Sequence, residues 1–238
     1  MRMEWFDVRS TKPEIMDDRD SDATLLFRTL DQFSLINLLF SRNRFLARTL
    51  IVPHMRRQRS NGFTVCDLGS GGCDFALWLS RFLSARAIKA RIYCIDSDPR
   101  VVEYAQQRCS GIDDITVLNG SALRFDECGI RPDYIFSNHL LHHLTEDELV
   151  ALISLVHRSA RLGYVLNDLV RSKQSYLFFL AFTTAFLRNT FARADGLLSI
   201  QKAFTPLELA RFVGRSGVVP RPRMKLLFPG RIVLYKFN

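Results

Sequence analysis

The chain has 238 residues, of which 47% are hydrophobic, and its formal net charge at pH 7 is +9. This composition excludes a disordered chain, and the length suits one full-sized domain with an added cap. The polar N-terminus lacks the apolar core of a signal peptide, and no uncharged apolar run reaches the roughly 20 residues that a membrane-spanning helix needs. We therefore expect a cytoplasmic protein.

Strand and helix patterns alternate along most of the chain. From residue 63 onward, strand patterns occur in the segments FTVCDL, RIYCID, ITVLNG, DYIFSN, LGYVLND, MKLLF and RIVLYKF, with helix patterns between the first five. The last two strands are expected to form a hairpin around Pro229 and Gly230. The alternation predicts an α/β protein with a doubly wound, mainly parallel seven-stranded sheet.

Two segments stand outside this alternation. Residues 23–50 favour one or two helices, and residues 172–192 favour an aromatic-rich helix after the fifth strand. We therefore expect an N-terminal helical cap over residues 1–60 and an α/β domain over residues 61–238, with a cap insertion at about 170–203. Both segments are rich in Phe and Leu, so they would cover a site on the sheet with apolar surface.

The cysteines give no sign of a cross-linked or metal-bound framework. Five are present, at Cys66, Cys73, Cys94, Cys109 and Cys128. Their number is odd and no pair has CxxC spacing, so neither a disulfide set nor a zinc site is predicted. We expect reduced thiols, as in a cytosolic protein, and no bound metal.

Basic residues are concentrated in two stretches. Residues 32–66 contain six arginines and no acid, and residues 209–238 contain seven basic residues and no acid. Together these stretches carry +13, so the rest of the chain sums to −4. A solvated basic rim would explain the pattern, as would an anionic membrane surface, an acidic carrier protein or nucleic acid as partner. Peripheral association with a membrane is therefore an alternative location.

A glycine-rich loop follows the first predicted strand, in the segment TVCDLGSGGCD at residues 64–74. In a doubly wound sheet, ligands bind beyond the carboxyl ends of the strands, where glycines let them approach free backbone N–H groups. Dinucleotide loops favour GxGxxG, but Asp74 stands at the third glycine position. A carboxylate there is a poor neighbour for a pyrophosphate and is compatible with a ligand that carries ammonium and sulfonium groups.

The segment VCDLGSGGCD resembles motif I of the class I S-adenosylmethionine-dependent methyltransferases, D-x-G-x-G-x-G, with Cys73 in place of the last glycine. YCIDSDP resembles the acidic end of the family's second strand, YIFSNHLLHHL its strand-four motif and VLNDL the end of its fifth strand. The resemblance covers residues 62–170 and implies a Rossmann-like fold, S-adenosyl-L-methionine as cofactor and methyltransferase activity (EC 2.1.1.-).

The resemblance also assigns the cofactor-binding residues. Asp96 would accept hydrogen bonds from both ribose hydroxyls. Many relatives have an Asp for the adenine amino group where this chain has Ser121, so an uncharged hydroxyl would bind the adenine. The predicted cofactor-binding residues are Asp67, Gly69, Ser70, Gly71, Asp74, Asp96, Ser97, Ser121, Ala122 and Asn138.

Three histidines follow the fourth predicted strand, where the transferred methyl group should lie. His139, His142 and His143 would share one face of a helical turn. Methylation of a phenol or alcohol requires loss of a proton, and histidine is the natural base near neutral pH. The segment LHHLTEDE resembles the histidine segment of plant phenol O-methyltransferases, which assigns the catalytic base to His142. Packing or capping histidines, as in similar LHH runs of quinone-biosynthesis methyltransferases, are the alternative.

The predicted acceptor is a hydrophobic small molecule. Asn167 and Asp168 end the fifth strand beside the same mouth, where they would contact substrate or stabilise a turn. Phe33 and Tyr176 represent the aromatic residues of the two caps, and these would line the acceptor pocket. Most such residues also fit plain core packing.

The whole pattern resembles bacterial small-molecule methyltransferases that act on phenol, polyketide or quinone-type acceptors, as found in secondary metabolism. It implies O-methylation of a phenolic or polyketide-type hydroxyl, with C-methylation in quinone-type biosynthesis as the alternative. A nucleic-acid methyltransferase is disfavoured because the chain has no N-P-P-Y-type motif and no recognition domain. A non-catalytic module that keeps the cofactor is the remaining alternative.

Overall fold

The computed structural model describes residues 6–186 and 191–238, without the side chains of residues 185 and 186. Its strands are β1 Phe63–Leu68, β2 Ala90–Asp96, β3 Ile115–Asn119, β4 Tyr134–Asn138, β5 Gly163–Leu169, β6 Arg223–Leu227 and β7 Arg231–Phe237. They form one sheet in the order β3-β2-β1-β4-β5-β7-β6, in which β1 to β5 are parallel and β7 is antiparallel to both neighbours. The predicted doubly wound, seven-stranded sheet is confirmed.

Helices cover both faces of the sheet. They are α1 Ala23–Ile36, α2 Asn43–Leu46, α3 Val52–Arg57, α4 Asp74–Ser84, α5 Pro99–Cys109, α6 Glu146–Ser159, α7 Lys173–Phe186, α8 Ala192–Lys202 and α9 Pro206–Arg215. Single-turn 3-10 or π-helical pieces lie at Ile15–Asp17, Asn37–Ser41, Ala47–Ile51, Ala122–Cys128 and Leu141–His143. No helix within the described residues is both long and apolar enough to cross a bilayer.

The sheet separates two apolar layers. On one side, Ile51 and Leu79 pack against strand residues such as Val165. On the other side, Leu152 and Phe212 come from α6 and α9. Because the central parallel strands are covered on both faces, their side chains are nearly all buried, as expected for strands that read as continuous apolar runs.

The two segments outside the alternation differ in detail from the prediction. Residues 23–50 were expected to form one or two helices, and the structure breaks them at Arg42, whose φ is 60°. The single helix expected at 172–192 is instead α7, followed by α8 after residues 187–190, which lie outside the described residues. Periodicity did not indicate α8, because Asp195, Gly196 and Ser199 are all buried in it.

Candidate active site

One cavity of about 930 Å³ lies at the carboxyl ends of β1 to β5. Its walls come from the glycine loop after β1, from α1, α7 and α8, and from the turn between β6 and β7. Thirteen of the residues singled out from the sequence line it: Asp67, Gly69, Ser70, Gly71, Asp74, Asp96, Ser97, Ser121, Ala122, Asn138, His139, His142 and His143. The predicted cofactor-binding and histidine residues therefore surround one space.

The glycine loop turns through left-handed backbone conformations. Gly69 and Gly71 have φ values of 67° and 53°, which glycine adopts without strain. Cys73, at the position where the resembled motif has its last glycine, has a φ of 59° although it carries a side chain. The departure in sequence therefore leaves the shape of the loop unchanged. The backbone N–H of Gly71 donates to Asp96 Oδ2 at 2.9 Å, which fixes the loop beside the end of β2.

Three carboxyl groups, from the buried Asp67 and the half-buried Asp74 and Asp96, make one half of the cavity acidic, and we call this the cofactor half. Burial, followed by repulsion from Asp74 and Asp96, raises the pKa of Asp67 well above its ordinary value. Burial also raises the pKa of Asp74 and of Asp96. Ionising these groups without a nearby cation is unfavourable, so this half fits a positively charged ligand. The acids and the open glycine backbone thus suit S-adenosylmethionine, with its sulfonium and ammonium groups.

Ser121 borders the same half at the start of the turn Ala122–Cys128. Its Oγ accepts a hydrogen bond from the backbone N–H of Leu123 at 3.2 Å. The hydroxyl hydrogen is not used in that contact, so Ser121 can donate it to a ligand. This fits the expectation that an uncharged hydroxyl binds the adenine.

His142 forms a close pair with Asp168 on the opposite side of the cavity. Asp168 Oδ1 lies 2.7 Å from His142 Nδ1, and Asp168 Oδ2 accepts from the backbone N–H of His142 at 2.8 Å. Burial favours the neutral acid, but the charge and hydrogen bond of His142 outweigh it and hold the pKa of Asp168 below its usual range. An ionised carboxylate only accepts, so Nδ1 carries an imidazole hydrogen.

An N-terminal strap, residues 6–22, crosses the cavity next to this pair. The backbone N–H groups of Ile15 and Met16 donate to the Asp195 carboxylate of α8 at 2.8 and 3.0 Å. Arg9 Nη2 donates to the carbonyl oxygen of His142 at 2.6 Å. The strap is therefore fixed to α8 and to the histidine turn, and it forms part of the wall.

The strap brings an acid into the site that the sequence analysis missed. Glu14 is 2% exposed, and its Oε1 lies 3.0 Å from Lys202 Nζ and 3.8 Å from His142 Nε2. In sequence Glu14 is one acid in a charged N-terminus, and 188 residues separate it from Lys202. Only the fold brings the two together, so no local pattern could have indicated the contact.

His143 faces the strap. Its Nδ1 lies 3.4 Å from Asp17 Oδ2 and 3.4 Å from Lys202 Nζ. Burial alone would lower the pKa of His143, but its hydrogen bond to the Asp17 carboxylate and the charge of Glu14 raise it overall. The same contact outweighs burial at the other partner and lowers the pKa of Asp17 to about 2. His143 therefore forms an ion pair with Asp17 of the strap.

His139 has a third environment. Its φ is 61°, so the three histidines do not lie on a regular helical turn, although they come together as predicted. Burial, followed by the charge of Arg231, lowers the pKa of His139 well below 6.5. Arg231 Nη1 donates to His139 Nε2 at 3.0 Å. His139 therefore stays neutral at pH 7 and is a weaker base than an ordinary histidine.

The predicted substrate-binding residues divide into two groups. Phe33 lines the cavity, whereas Asn167, Asp168 and Tyr176 do not. Asn167 is buried behind the wall, where its Nδ2 donates to Ser41 O at 2.7 Å and to Asn138 Oδ1 at 2.8 Å. Asn167 and Asp168 thus support the wall from behind, and direct substrate contact by either residue stays a prediction.

Tyr176 is on a side of α7 that faces the strap. Its ring lies 5.5 Å from that of Phe6 in an edge-to-face arrangement. Ser175, Phe178 and Phe179 face the cavity. Because successive residues of an α-helix point in different directions, Tyr176 faces away from the cavity. Tyr176 does not line the cavity in this arrangement, and its contact with substrate stays a prediction.

The basic stretches are only partly a solvated rim. Arg231 is 1% exposed and belongs to the cavity wall. Arg215 pairs with Asp147 at 2.6 Å, and Arg48 lies over the Phe82 ring at 5.2 Å. The remaining exposed basic side chains include Arg42, whose Nε donates to the carbonyl oxygen of Phe228 at 2.9 Å.

Known proteins share this fold. The structure is similar to that of a SAM-dependent methyltransferase from Aquifex aeolicus, with 16% identity, coverage of 88% of this chain and 96% of that chain, and a TM-score of 0.59. Human N-acetylserotonin methyltransferase in complex with SAM has 13% identity, coverages of 89% and 55%, and a TM-score of 0.60. The CurJ carbon methyltransferase has 12% identity, coverages of 91% and 61%, and a TM-score of 0.62.

At these identities the likeness establishes the fold. A comparison with curated proteins found no match. Residues 65–163, which include the glycine loop and the histidine turn, match the family described as "Methyltransferase domain". The chain therefore contains a methyltransferase domain, and its fold is the one that class I S-adenosylmethionine-dependent methyltransferases share.

Proposed function

We propose that the protein methylates a hydroxyl group of a hydrophobic small molecule, of the phenolic or polyketide type, with His142 as the general base. The observation that carries this proposal is the Asp168–His142 pair, in which His142 lines the same cavity as the glycine loop and Asp168 supports it from behind the wall. The apolar part of the wall includes Phe33, Phe178 and Phe179, which suit an aromatic or alkylated acceptor.

The chemistry follows from the orientation of His142. S-adenosylmethionine supplies an electrophilic methyl group. Asp168 holds the imidazole with hydrogen on Nδ1, so Nε2 takes the proton of the acceptor hydroxyl and the acceptor oxygen becomes the nucleophile. Asp168 remains ionised and stabilises the imidazolium that forms. The strap and α7 cover the cavity and limit access of water to the reacting oxygen.

A panel of alkylated phenols, quinols and RNA, incubated with methyl-labelled cofactor, tests the proposal. We expect label on a phenol, at oxygen, and loss of transfer when His142→Gln replaces the base. Label on RNA alone, or transfer that is unchanged in His142→Gln, would contradict it.

C-methylation of a quinol-type ring is the second candidate. The CurJ neighbour, a carbon methyltransferase, shows that this fold also accommodates that chemistry in another protein. A ring carbon activated by an adjacent phenol also needs a base, so the His142–Asp168 pair fits both reactions. The position of the methyl label in the product, determined by NMR, distinguishes O-methylation from C-methylation.

We also propose that the acceptor enters from an anionic bilayer. Phe178 and Phe228 line the cavity and are 45% and 75% exposed, with ring centroids 6.2 Å apart. Exposed basic residues, including Arg42 and Lys225, lie on the elements around these rings. Apolar rings with basic neighbours suit a headgroup layer, whereas an acidic carrier protein would match the charges but not the rings.

A further inference from the structure

Arg231 occupies an unusual position in the cavity wall. It is the first residue of β7 and is 1% exposed. The preceding Gly230 has a φ of 56°, and a Cβ on it would lie only 2.2 Å from Ser175 Oγ. Glycine thus lets the β6–β7 turn pack directly on α7, and this close packing brings the guanidinium to the carboxyl ends of β4 and β5.

The hydrogen-bond partners of Arg231 are all uncharged. Nε donates to Asn167 Oδ1 at 3.3 Å, Nη2 donates to Asn138 Oδ1 at 2.8 Å, and Nη1 donates to His139 Nε2 at 3.0 Å. Two amides and a neutral imidazole therefore satisfy three of the five N–H groups of an arginine. Nη1 also lies 3.5 Å from His139 Nδ1, but a neutral imidazole has a single acceptor nitrogen, so two N–H groups are left without an acceptor among the described residues.

Other buried cations of the chain have an acid in contact. Arg171 Nη2 lies 2.5 Å from Glu208 Oε1, and Lys202 Nζ lies 3.0 Å from Glu14 Oε1. Within residues 6–186 and 191–238, no carboxylate forms an ion pair with Arg231 within 4.0 Å. Burial lowers the pKa of Arg231 to about 10, although the charge of Asp168, which is not in contact with it, acts to raise the pKa; Arg231 is therefore still charged at neutral pH. A buried charge without a contacting counterion is costly unless a ligand supplies one.

We propose that Arg231 binds an oxyanion of the acceptor, either a carboxylate or an ionised phenol or enol, through its two remaining N–H groups. This inference rests on the proposed function and specifies the acceptor as a hydrophobic acid. The shared chemistry is an anionic oxygen that a planar guanidinium contacts with two parallel hydrogen bonds. The acidic cofactor half would repel such a group, so the acceptor is oriented with its anion toward β7.

Binding of matched probes tests this assignment without requiring methyl transfer. The protein is saturated with S-adenosylhomocysteine and titrated by calorimetry with 4-butylbenzoate and with 4-butylbenzyl alcohol, which differ mainly in charge. We expect the acid to bind about tenfold more tightly, or better, because a charged hydrogen bond in a buried site discriminates on that scale. Arg231→Gln should abolish the preference, and Arg231→Lys should retain part of it.

The controls separate binding from folding. Arg223→Gln removes an exposed arginine of β6 and should leave the acid preference intact. Affinity for S-adenosylhomocysteine reports whether each Arg231 variant is folded. Equal affinity of the wild type for acid and alcohol would overturn the proposal, even if Arg231→Gln does not fold. Retention of the full preference in a folded Arg231→Gln protein would overturn it as well.

A third probe identifies the source of the anion. If the acceptor's anion is an ionised phenol, 4-butylphenol should bind more tightly as the pH approaches the phenol pKa of about 10. If it is a carboxylate, 4-butylbenzoate should bind with nearly constant affinity between about pH 6 and 9. Acid binding without any methylation of phenols would contradict the proposed function while leaving the oxyanion site intact.

Discussion

The two halves of the cavity differ in charge and in how the chain assembles them. The cofactor half holds Asp67, Asp74 and Asp96, three buried or half-buried acids whose pKa values are all raised. The opposite half, which we call the acceptor half, holds the histidine cluster and the buried cation Arg231. Each half is complementary to a different ligand charge, so a cationic cofactor and an anionic acceptor would each be drawn to their own side.

Their construction differs as well. The cofactor half consists of loops that follow β1, β2 and β3, within one stretch of the matched domain. The acceptor half combines the strap, the histidine turn, α8 and β7, and its contacts span up to 193 residues along the chain. Variants in the two halves should therefore separate cofactor binding from catalysis.

The largest effect is expected at His142 in the acceptor half. His142→Gln removes the base and should lower kcat by about 10²–10⁴ while affinity for the cofactor is nearly unchanged. The loss should shrink as the pH rises toward the acceptor's own pKa, because solvent then supplies the phenolate. Steady-state kinetics over pH, with cofactor affinity from calorimetry, measure both quantities.

His157→Gln provides a matched control, because His157 contacts Tyr164 and a backbone carbonyl outside the cavity. Asp168→Asn should resemble His142→Gln in kcat, since it removes the acceptor that sets the tautomer. Two results would contradict the role of His142 as the general base: weakened cofactor binding in His142→Gln, or a loss of kcat that does not change with pH.

A second large effect is expected in the cofactor half. Asp96→Ala should weaken binding of S-adenosylmethionine by about 1.5–3 kcal/mol, the scale of a hydrogen bond to a charged acceptor. The same change removes the partner of the Gly71 N–H. Asp126→Ala, at an exposed acid near Arg158, is the control. Unchanged affinity in calorimetry would remove Asp96 from the cofactor site.

The contrast between the halves also explains what the sequence could predict. The cofactor half follows from local rules: strand, glycine turn and helix start within a few residues, with Asp96 at the end of the next strand. Those rules hold even at Cys73, which keeps the glycine-like φ of 59°. The alternation of strands and helices likewise predicted the sheet, because the central parallel strands β1, β4 and β5 are buried on both faces.

The acceptor half depends on contacts that no local pattern contains. Glu14 reads as part of a polar terminus and Arg231 as part of a basic stretch, yet both are buried. Asp168 ends a strand at the mouth, but its partner is His142 rather than a ligand. Such residues could have been found only from a pairing of distant segments, which a single sequence does not show.

A smaller effect is expected at the mouth shared by the two halves. If the acceptor enters from a bilayer, Phe228→Ser should reduce binding to vesicles that contain phosphatidylserine several-fold, on the order of one buried aromatic side chain. Raising the salt concentration should weaken binding further, because it screens the basic residues. Val219→Ser, an exposed apolar residue away from the cavity lining, is the control. Vesicle binding that is equal in all three proteins and independent of salt favours a solvated basic rim.

The smallest effect concerns the strap that closes the acceptor half. The raised pKa of His143 means that its ion pair with Asp17 stabilises the fold below the ordinary histidine value of 6.5 and is lost as the pH rises through the raised pKa. The pKa of Asp17 is lowered from 3.8 to about 2. Its contribution to stability is therefore fully present above pH 3.8 and is lost as the pH falls through about 2. Strap docking should therefore be strongest between about pH 4 and 6.5.

Asp17→Asn should lower the melting temperature most within that window, and the difference from wild type should shrink by about pH 9. Because Asp17 is 41% exposed, solvent screens the pair and the effect should be small. Asp7→Asn changes an exposed acid elsewhere on the strap and should show no such window. Thermal unfolding followed across the pH range gives the comparison. A difference between wild type and Asp17→Asn that stays constant from acid to alkaline pH would mean that Asp17 acts through packing, and that His143 does not fasten the strap.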